Sequence, residues 1–175
     1  MKKMNRREFL TLTGAAVVAL SLAGCGGGSS APAAPTTGEE AKVLEAIKKY
    51  RAAAGVSEPL ALDNGLKPAV ELVVKIAKGD MKFDMEAMKA LANAEAGYDG
   101  VCPPIGIAFD IDTGNMMPVC VYSEDAEKMA QHLPLQLEED AKKDLKSASL
   151  IMIQLFEYGG VKYWVAVAAK GKVKP

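Results

Sequence analysis

The sequence predicts an α+β fold in which helices come first and strands come last. Apolar residues recur every three to four positions through residues 39–96, the period of helices buried on one face. Two pairs of β-rich runs follow, each pair separated by turn-forming residues. Because strands and helices do not alternate in the βαβ manner, we expect a small antiparallel sheet.

The first predicted helix begins near Thr37 and ends at Gly55. Thr37 and Glu40 have the spacing of a capping box, in which each side chain can satisfy a free amide of the first turn. Gly55 favours the left-handed backbone that ends many helices. The apolar face is predicted to contain Val43, Leu44, Ile47, Tyr50 and Ala54.

Two more helices are predicted before the strands. One covers about residues 63–78 and has Pro68 in its first turn, where a missing amide does least harm. Its buried side is predicted to contain Leu66, Ala69, Val70, Val73, Ile76 and Ala77. The other covers about residues 84–96 and ends before Gly97. Its inward side chains are predicted to be Met85, Met88, Leu91 and Ala92.

The second half of the chain is predicted to contain two hairpins with short helices between them. The first hairpin pairs residues 105–111 with 116–122, and Pro118 indicates that its second strand lies at an edge. Ser123 is predicted to cap a fourth helix that ends at about Gln131, before Pro134. Residues 136–146 are predicted to form a short polar helix. The last hairpin pairs residues 149–157 with 161–168 around Gly159 and Gly160.

Residues 1–24 have the three parts of a secretory signal peptide. The start is basic, an uncharged run covers residues 9–24, and small residues precede Cys25. The apolar run is shorter than the ~20 residues that cross a bilayer as a helix. We therefore expect the chain to be exported and the signal to be removed.

Leu22-Ala23-Gly24-Cys25 resembles the lipobox of bacterial lipoproteins. The resemblance implies that the Cys25 thiol is diacylated, for example with palmitate, and that Cys25 begins the mature chain. Two acyl chains make a durable anchor where one is marginal. Residues 6–10, RREFL, also resemble a twin-arginine signal. The expected location is the membrane surface outside the cytoplasm, periplasmic or extracellular. The alternative is that Cys25 is an ordinary small residue near a signal-peptidase site.

Composition divides the remaining chain into a tether and a domain. Residues 25–38 are predicted to be a flexible tether, because residues 26–38 are Gly, Ser, Ala, Pro and Thr only. Residues 39–175 are predicted to form one domain. Four of the 21 basic residues and one of the 22 acidic residues lie in the signal, which leaves 17 basic against 21 acidic. A net negative chain argues against nucleic acid as a partner.

Short motifs across residues 40–170 resemble the bacterial CAP domain, also called SCP-like, of the cysteine-rich secretory protein family. YRAAAGV at 50–56 and PLALD at 59–63 resemble the opening Y-R-x-x-x-G and P-L-x-x-D segments of that family. Gly97-Tyr98 and Ile107-Ala108 fall where the family has Gly-Tyr and G-E-N-I-A. GGVKYWV at 159–165 resembles its last hairpin. The resemblance implies an α-β-α sandwich with a small antiparallel sheet.

The metal site of the family does not carry over to this chain. Many members hold a divalent ion between two His and two Glu, but this chain has one His, His132. The matching positions hold Met85, Ile105 and Glu139. Neither Met nor Ile can replace an imidazole for a hard or borderline ion. We therefore expect no metal, cofactor or catalytic residue, and a structural role for His132.

Cys102 and Cys120 remain as a pair if Cys25 carries lipid. In an oxidising compartment they could form a disulfide worth ~3 kcal/mol. The alternative is two free, buried thiols, and the sequence leaves both open.

Tyr158, Tyr163 and Trp164 gather on the last hairpin as a candidate binding surface. Strand alternation sends Tyr163 to one face and Trp164 to the other. One face is expected to be core, and the other could contact a protein partner or a glycan. The methionines offer a second candidate, an adaptable apolar groove. Its predicted members are Met81, Met85, Met88, Met116, Met117, Met129 and Met152.

The function predicted from sequence is a non-catalytic binding or envelope-associated module on a lipid anchor. One alternative is a hydrolase or metal-dependent enzyme with an atypical site. Another is a structural envelope subunit that docks through the last hairpin. A concave apolar pocket would favour a small apolar ligand, whereas a flat aromatic patch would favour a protein partner.

Overall fold

The computed structural model describes residues 38–110, 112 and 115–173. These residues fall within one compact unit. The predicted signal peptide, Cys25, Thr37 and all but the last residue of the tether lie outside the described residues. The α+β class is confirmed. The described residues contain five α-helices, a four-stranded sheet and a separate two-stranded sheet.

The elements follow one another in the predicted general order. They are α1 (Gly38–Ala53), β1 (Ala61–Leu62), a 3₁₀ turn (Asn64–Leu66), α2 (Lys67–Ala77), α3 (Met85–Ala94), β2 (Tyr98–Val101), β3 (Ile107–Asp110), β4 (Asn115–Pro118), α4 (Ala126–Gln136), α5 (Glu139–Ser147), β5 (Leu150–Tyr158) and β6 (Val161–Lys172). Among these described helices, none combines the length and the apolar character needed to cross a membrane.

The main sheet has the strand order β1-β5-β6-β2. β5 and β6 form the predicted last hairpin, in register from Leu150 opposite Ala169 to Tyr158 opposite Val161. Gly159 and Gly160 connect them with φ of 58° and 76°. Two consecutive residues at positive φ are what a tight hairpin turn requires, and glycine adopts this conformation without strain.

The prediction of a purely antiparallel sheet is wrong, because β1 runs parallel to β5. β1 contains only Ala61 and Leu62, too few residues to produce an alternating pattern. β2 was also missed, since its sequence Tyr-Asp-Gly-Val lacks β-branched residues apart from Val101. Both edge strands are defined by their pairing with the central hairpin rather than by their own composition.

Helices cover both faces of the central hairpin. Residues 164–169 of β6 are all buried, the uninterrupted apolar run of a strand covered on two sides. Side chains on one face, among them Ile151, Ile153 and Trp164, join the cluster under α1, α4 and α5. Side chains on the other face, among them Val165 and Val167, join the cluster under α2 and α3.

Two helices differ from their predicted form. In α3 the buried side chains are Ala87 and Leu91, whereas Met85 is 66% exposed and Met88 is also exposed. The apolar residues of α3 occupy two neighbouring stripes, and the smaller side chains face α2. In α4 the N-cap is Asp125, whose carboxylate accepts from the amides of residues 127 and 128, and the helix continues past Pro134.

The Asp63 carboxylate fastens the ends of three strands. It accepts hydrogen bonds from the Gly65 amide at 2.8 Å and the Tyr98 hydroxyl at 3.1 Å, and it pairs with Lys172 at 2.9 Å. Burial alone would raise the pKa of this carboxyl. The hydrogen bonds and the lysine charge outweigh burial and hold the pKa below its ordinary value.

Gly106 lets the chain cross β6 at close range before β3 begins. Its φ is +91°, and a Cβ placed on it would lie 2.5 Å from the Trp164 carbonyl oxygen. The next nearest atom is the Val165 Cα, at 3.2 Å. Because backbone atoms cannot yield as a flexible side chain can, this position requires glycine.

Gly106→Ala should lower the free energy of unfolding by about 2–4 kcal/mol, from left-handed strain together with steric overlap. Gly159→Ala is the matched control, because Gly159 also has positive φ but a Cβ placed on it would have no atom within 4 Å. Gly159→Ala should lower the free energy of unfolding by only about 1–2 kcal/mol. Urea unfolding of both variants tests this. Equal losses of unfolding free energy would show that close contact with β6 is not what requires glycine at position 106.

Candidate functional site

A recess of about 470 Å³ lies where the β3–β4 hairpin meets the connection between α4 and α5. We call it the apolar groove. It is lined by Phe83, residues 103–109, Met116, residues 136–138 and Ala141. Most of these side chains are apolar, and the polar ones in the lining are Gln136 and Glu138.

Two consecutive prolines, Pro103 and Pro104, line the groove. Pro103 and Pro104 lack amide hydrogens, so this segment cannot form a regular ladder with β6. Ile105 restores contact, donating to the Ala166 carbonyl at 2.9 Å and accepting from the Ala166 amide at 3.0 Å. The chain then turns at Gly106 and leaves the sheet. The groove therefore opens beside β6 at the point where the two prolines prevent continuous strand pairing.

One wall of the groove is a face of the β3–β4 hairpin. Phe109 and Met116 are directly opposite each other in the register, so their side chains lie on the same face. Ile107 and Met116 pack against the cluster under α2 and α3, which holds the hairpin in place. Phe109 extends further and remains 59% exposed. Such an exposed aromatic ring can cover an apolar ligand.

The opposite wall is the link between α4 and α5. Leu137 is buried, and its amide donates to the Leu133 carbonyl at 3.1 Å. Gln136 and Glu138 flank it, half-buried and exposed respectively. This wall gives the groove a polar rim at one end. The lining contains no nucleophile and no pair of acid and base groups, so its chemistry is desolvation and contact.

The methionines predicted to form an apolar groove do not, as a group, line this recess. Of the seven candidate methionines, Met116 alone is in the lining. Phe83 and Phe109 were missed as site residues. A detectable signal was present in the sequence, since each is an aromatic residue next to charged ones, Lys82 with Asp84 and Asp110.

The predicted aromatic surface does not form as a unit. Trp164 is fully buried and cannot contribute to a surface, because helices cover its face of the sheet as well as the other face. Tyr163 is half-buried and stacks on Phe156, with ring centroids 6.2 Å apart. Tyr158 is exposed at the tip of the hairpin. The candidate surface is thus reduced to one tyrosine.

Cys102 and Cys120 are free and buried, so the alternative of two thiols describes the structure. Each lies beside β6. The Cys102 amide donates to the Ala168 carbonyl, and the Trp164 amide donates to the Cys120 carbonyl. Four residues along a strand separate the two contacts by ~13 Å. A disulfide needs Cα atoms within about 7 Å, so the register keeps these thiols apart.

The positions that match the family metal ligands are spread through the fold. Ile105 lies in the core beside β6, Met85 is exposed at the start of α3, and Glu139 pairs with Lys142 at 2.6 Å on the surface of α5. His132 is exposed on α4. Within the described part of the chain, no three His, Cys, Asp or Glu residues lie close enough to hold a metal ion.

Comparisons with known proteins gave no match to any family model, any curated protein or any solved structure.

A chain that begins at residue 38 should contain two unmodified thiols when purified without reductant. Burial raises the pKa of both Cys102 and Cys120 to about 12, which leaves little thiolate near pH 8. Ellman's reagent should therefore react slowly with the native protein and at both thiols in denaturant. Cys102→Ser is the control, with one reactive thiol. An intact mass lower by two hydrogens would instead indicate a disulfide.

Proposed function

We propose that this protein is a lipid-anchored, extracytoplasmic binding protein whose domain holds a small apolar molecule without catalysing its conversion. The apolar groove carries the proposal. Ligand pockets typically enclose about 300–1,000 Å³, with apolar walls and a few polar groups that orient the ligand. The groove has a volume of about 470 Å³ and a polar rim at Gln136 and Glu138, which fits that pattern.

The lining indicates the chemical class of the ligand. A ligand that buries about six methylene groups gains about 5 kcal/mol, before the cost of association is subtracted. A gain of this size corresponds to a dissociation constant no tighter than about 0.2 mM. The carboxylate side chain of Glu138 at the rim disfavours an anionic head group. A neutral or cationic apolar molecule is therefore the proposed ligand.

The proposed anchor and location rest on residues 1–25. The basic start, the uncharged run and Leu-Ala-Gly-Cys together support export and acylation at Cys25. In this proposal the membrane is a partner through the acyl chains, and the tether places the domain close to the lipid surface. The ligand would then be taken from, or delivered to, the envelope.

We also propose that the domain is a CAP-like α-β-α sandwich that has lost the family metal site. Support comes from helices on both faces of the β5–β6 hairpin and from the places where the motifs fall. Tyr50 and Arg51 lie near the end of α1, and the PLALD motif leads through β1 to Asp63. In the sequence match to the family, Met85 and Ile105 take the positions of a His and a Glu ligand, and neither side chain can replace such a ligand.

Phe109→Asp should weaken binding of N-phenyl-1-naphthylamine, a neutral apolar probe, by about tenfold or more, since burial of an aromatic side chain is worth about 1.5–3 kcal/mol. Leu135→Asp is the matched control, because Leu135 is 85% exposed and lies outside the groove. Probe fluorescence measures both affinities. A similar loss in both variants, or none in Phe109→Asp, would count against the groove.

Cys25→Ser should move the protein from the membrane fraction to the soluble extracytoplasmic fraction, because position 25 then has no thiol to be acylated. Cys102→Ser should stay with the membrane. Immunoblots of fractionated cells that express the full chain provide the measurement. If the serine variant at position 25 remained on membranes at the same level, the lipid anchor would have to be abandoned.

A further inference from the structure

Three exposed apolar side chains gather at the end of the β5–β6 hairpin. Tyr158 lies directly opposite Val161 in the register, so both side chains are on the same face of the sheet. Val121 forms a bridge to Tyr163, two residues along β6 from Val161, which places Val121 on that face as well. Tyr158, Val161 and Val121 are 46%, 39% and 45% exposed. We call these three residues the tip surface.

The tip surface continues a packed face of the sheet. Phe156 and Tyr163 are the next opposed pair on this face, and their rings stack with centroids 6.2 Å apart. Both side chains contact the cluster under α2 and α3. The stack therefore supports the tip surface from the side of the core. None of the three tip residues lines the apolar groove, so the two surfaces are separate.

The start of α1 lies beside the hairpin tip. Gly38 begins α1, and the next residue, Glu39, pairs with Lys162 at 2.7 Å. Lys162 follows Val161 in β6, and its side chain is on the opposite face of the strand, 5.5 Å from the centre of the Tyr122 ring. The chain that precedes Gly38 therefore joins the domain at the same end as the tip surface.

The tether length keeps this end of the domain close to the proposed anchor. In the proposed function Cys25 is acylated, and the contact argued here rests on that anchor. A flexible chain of the length of residues 26–38 has a root-mean-square span of about 20 Å. A surface on so short a tether has an effective concentration in the millimolar range at the bilayer. Even a weak apolar contact with lipid is then populated.

We propose that the tip surface inserts into the interfacial layer of the membrane that holds the acyl anchor. Tyr158 has an apolar ring and a polar hydroxyl, the combination that enriches tyrosine at the level of lipid head groups. Lys162 is already paired with Glu39. The contact is therefore apolar and does not depend on anionic lipid. It fixes which end of the domain faces the bilayer.

The test uses a nitroxide spin label on the acylated full-length chain, bound to vesicles of neutral phosphatidylcholine. Val161→Cys supplies the labelled thiol, since Cys102 and Cys120 are buried and react slowly. Collision with oxygen and with a water-soluble nickel complex, measured by electron paramagnetic resonance, should report a lipid-immersed label at position 161. The unlabelled protein should float with the vesicles.

Leu135→Cys is the matched control for the position of the label. Leu135 is 85% exposed and follows Pro134, which lines one recess together with Ala53 and Ala54. It therefore lies beside the end of α1 that is opposite Gly38. The rise of a helix separates the two ends of α1 by about 23 Å. A label at position 135 should remain in water.

The possible outcomes separate the tip contact from the anchor. If the chain does not float with vesicles, the anchor is wrong and the tip contact fails with it. If the chain floats but the label at position 161 is in water, the tip contact alone is overturned. It is also overturned if insertion requires anionic lipid. A label shielded equally in the Cys25→Ser chain without lipid would show that a second copy covers the tip, which again overturns the proposal.

A substitution at Tyr158 supplies a second test with the label kept at position 161. Tyr158→Asp should lower the ratio of lipid-immersed to aqueous label by about tenfold, because a charged side chain replaces an aromatic one. Leu135→Asp is the control and should leave the ratio unchanged. Both variants should still float, since the acyl chains remain. An unchanged ratio in Tyr158→Asp would show that Tyr158 does not contact lipid and would overturn the proposal.

Discussion

Burial of β6 on both faces is the constraint on which the rest of this structure depends. A strand with an unbroken apolar run must be covered on two sides, since leaving either side in water would forfeit the hydrophobic stabilisation of that side. Helices α1, α4 and α5 cover one side, and α2 and α3 cover the other. β5 and β2 occupy its two edges. Even Ile105 and Val121, outside the regular strands, form bridges to it.

Two recesses of the domain lie beside segments that are outside the regular helices and strands. The apolar groove opens next to Pro103 and Pro104, which cannot donate to β6. A second recess, lined by Lys48, Arg51, Ala52 and residues 56–60, opens where a Schellman motif turns the chain away from α1. Their linings differ, since the first contains Phe and Ile side chains and the second contains the charged residues Lys48, Arg51 and Glu58.

The positions of individual side chains show which parts of the structure the sequence patterns could predict. All six residues predicted for the buried side of α2 are buried, because its apolar positions form one stripe at helical spacing. Val74 is also buried and was missed, and the helix begins at Lys67 rather than near residue 63. α3 offered two stripes, and the pattern could not tell that the space beside α2 admits Ala87 rather than Met85. Cys102 and Cys120 were left as open alternatives. Only their contacts with β6 reveal that they lie about four residues apart along it.

The sequence by itself determined the α+β class, the helices and the two hairpins, because these follow from local periodicity and from turn residues such as Gly159 and Gly160. Tertiary structure alone decided that β1 runs parallel to β5, that Trp164 is interior, and that Phe83 and Phe109 share one groove. It also decided that Arg51 is buried with no ion pair to a carboxylate of residues 38–110, 112 or 115–173. Each of these depends on which distant segments lie against β5, β6 or α1, and local patterns carry no record of that pairing.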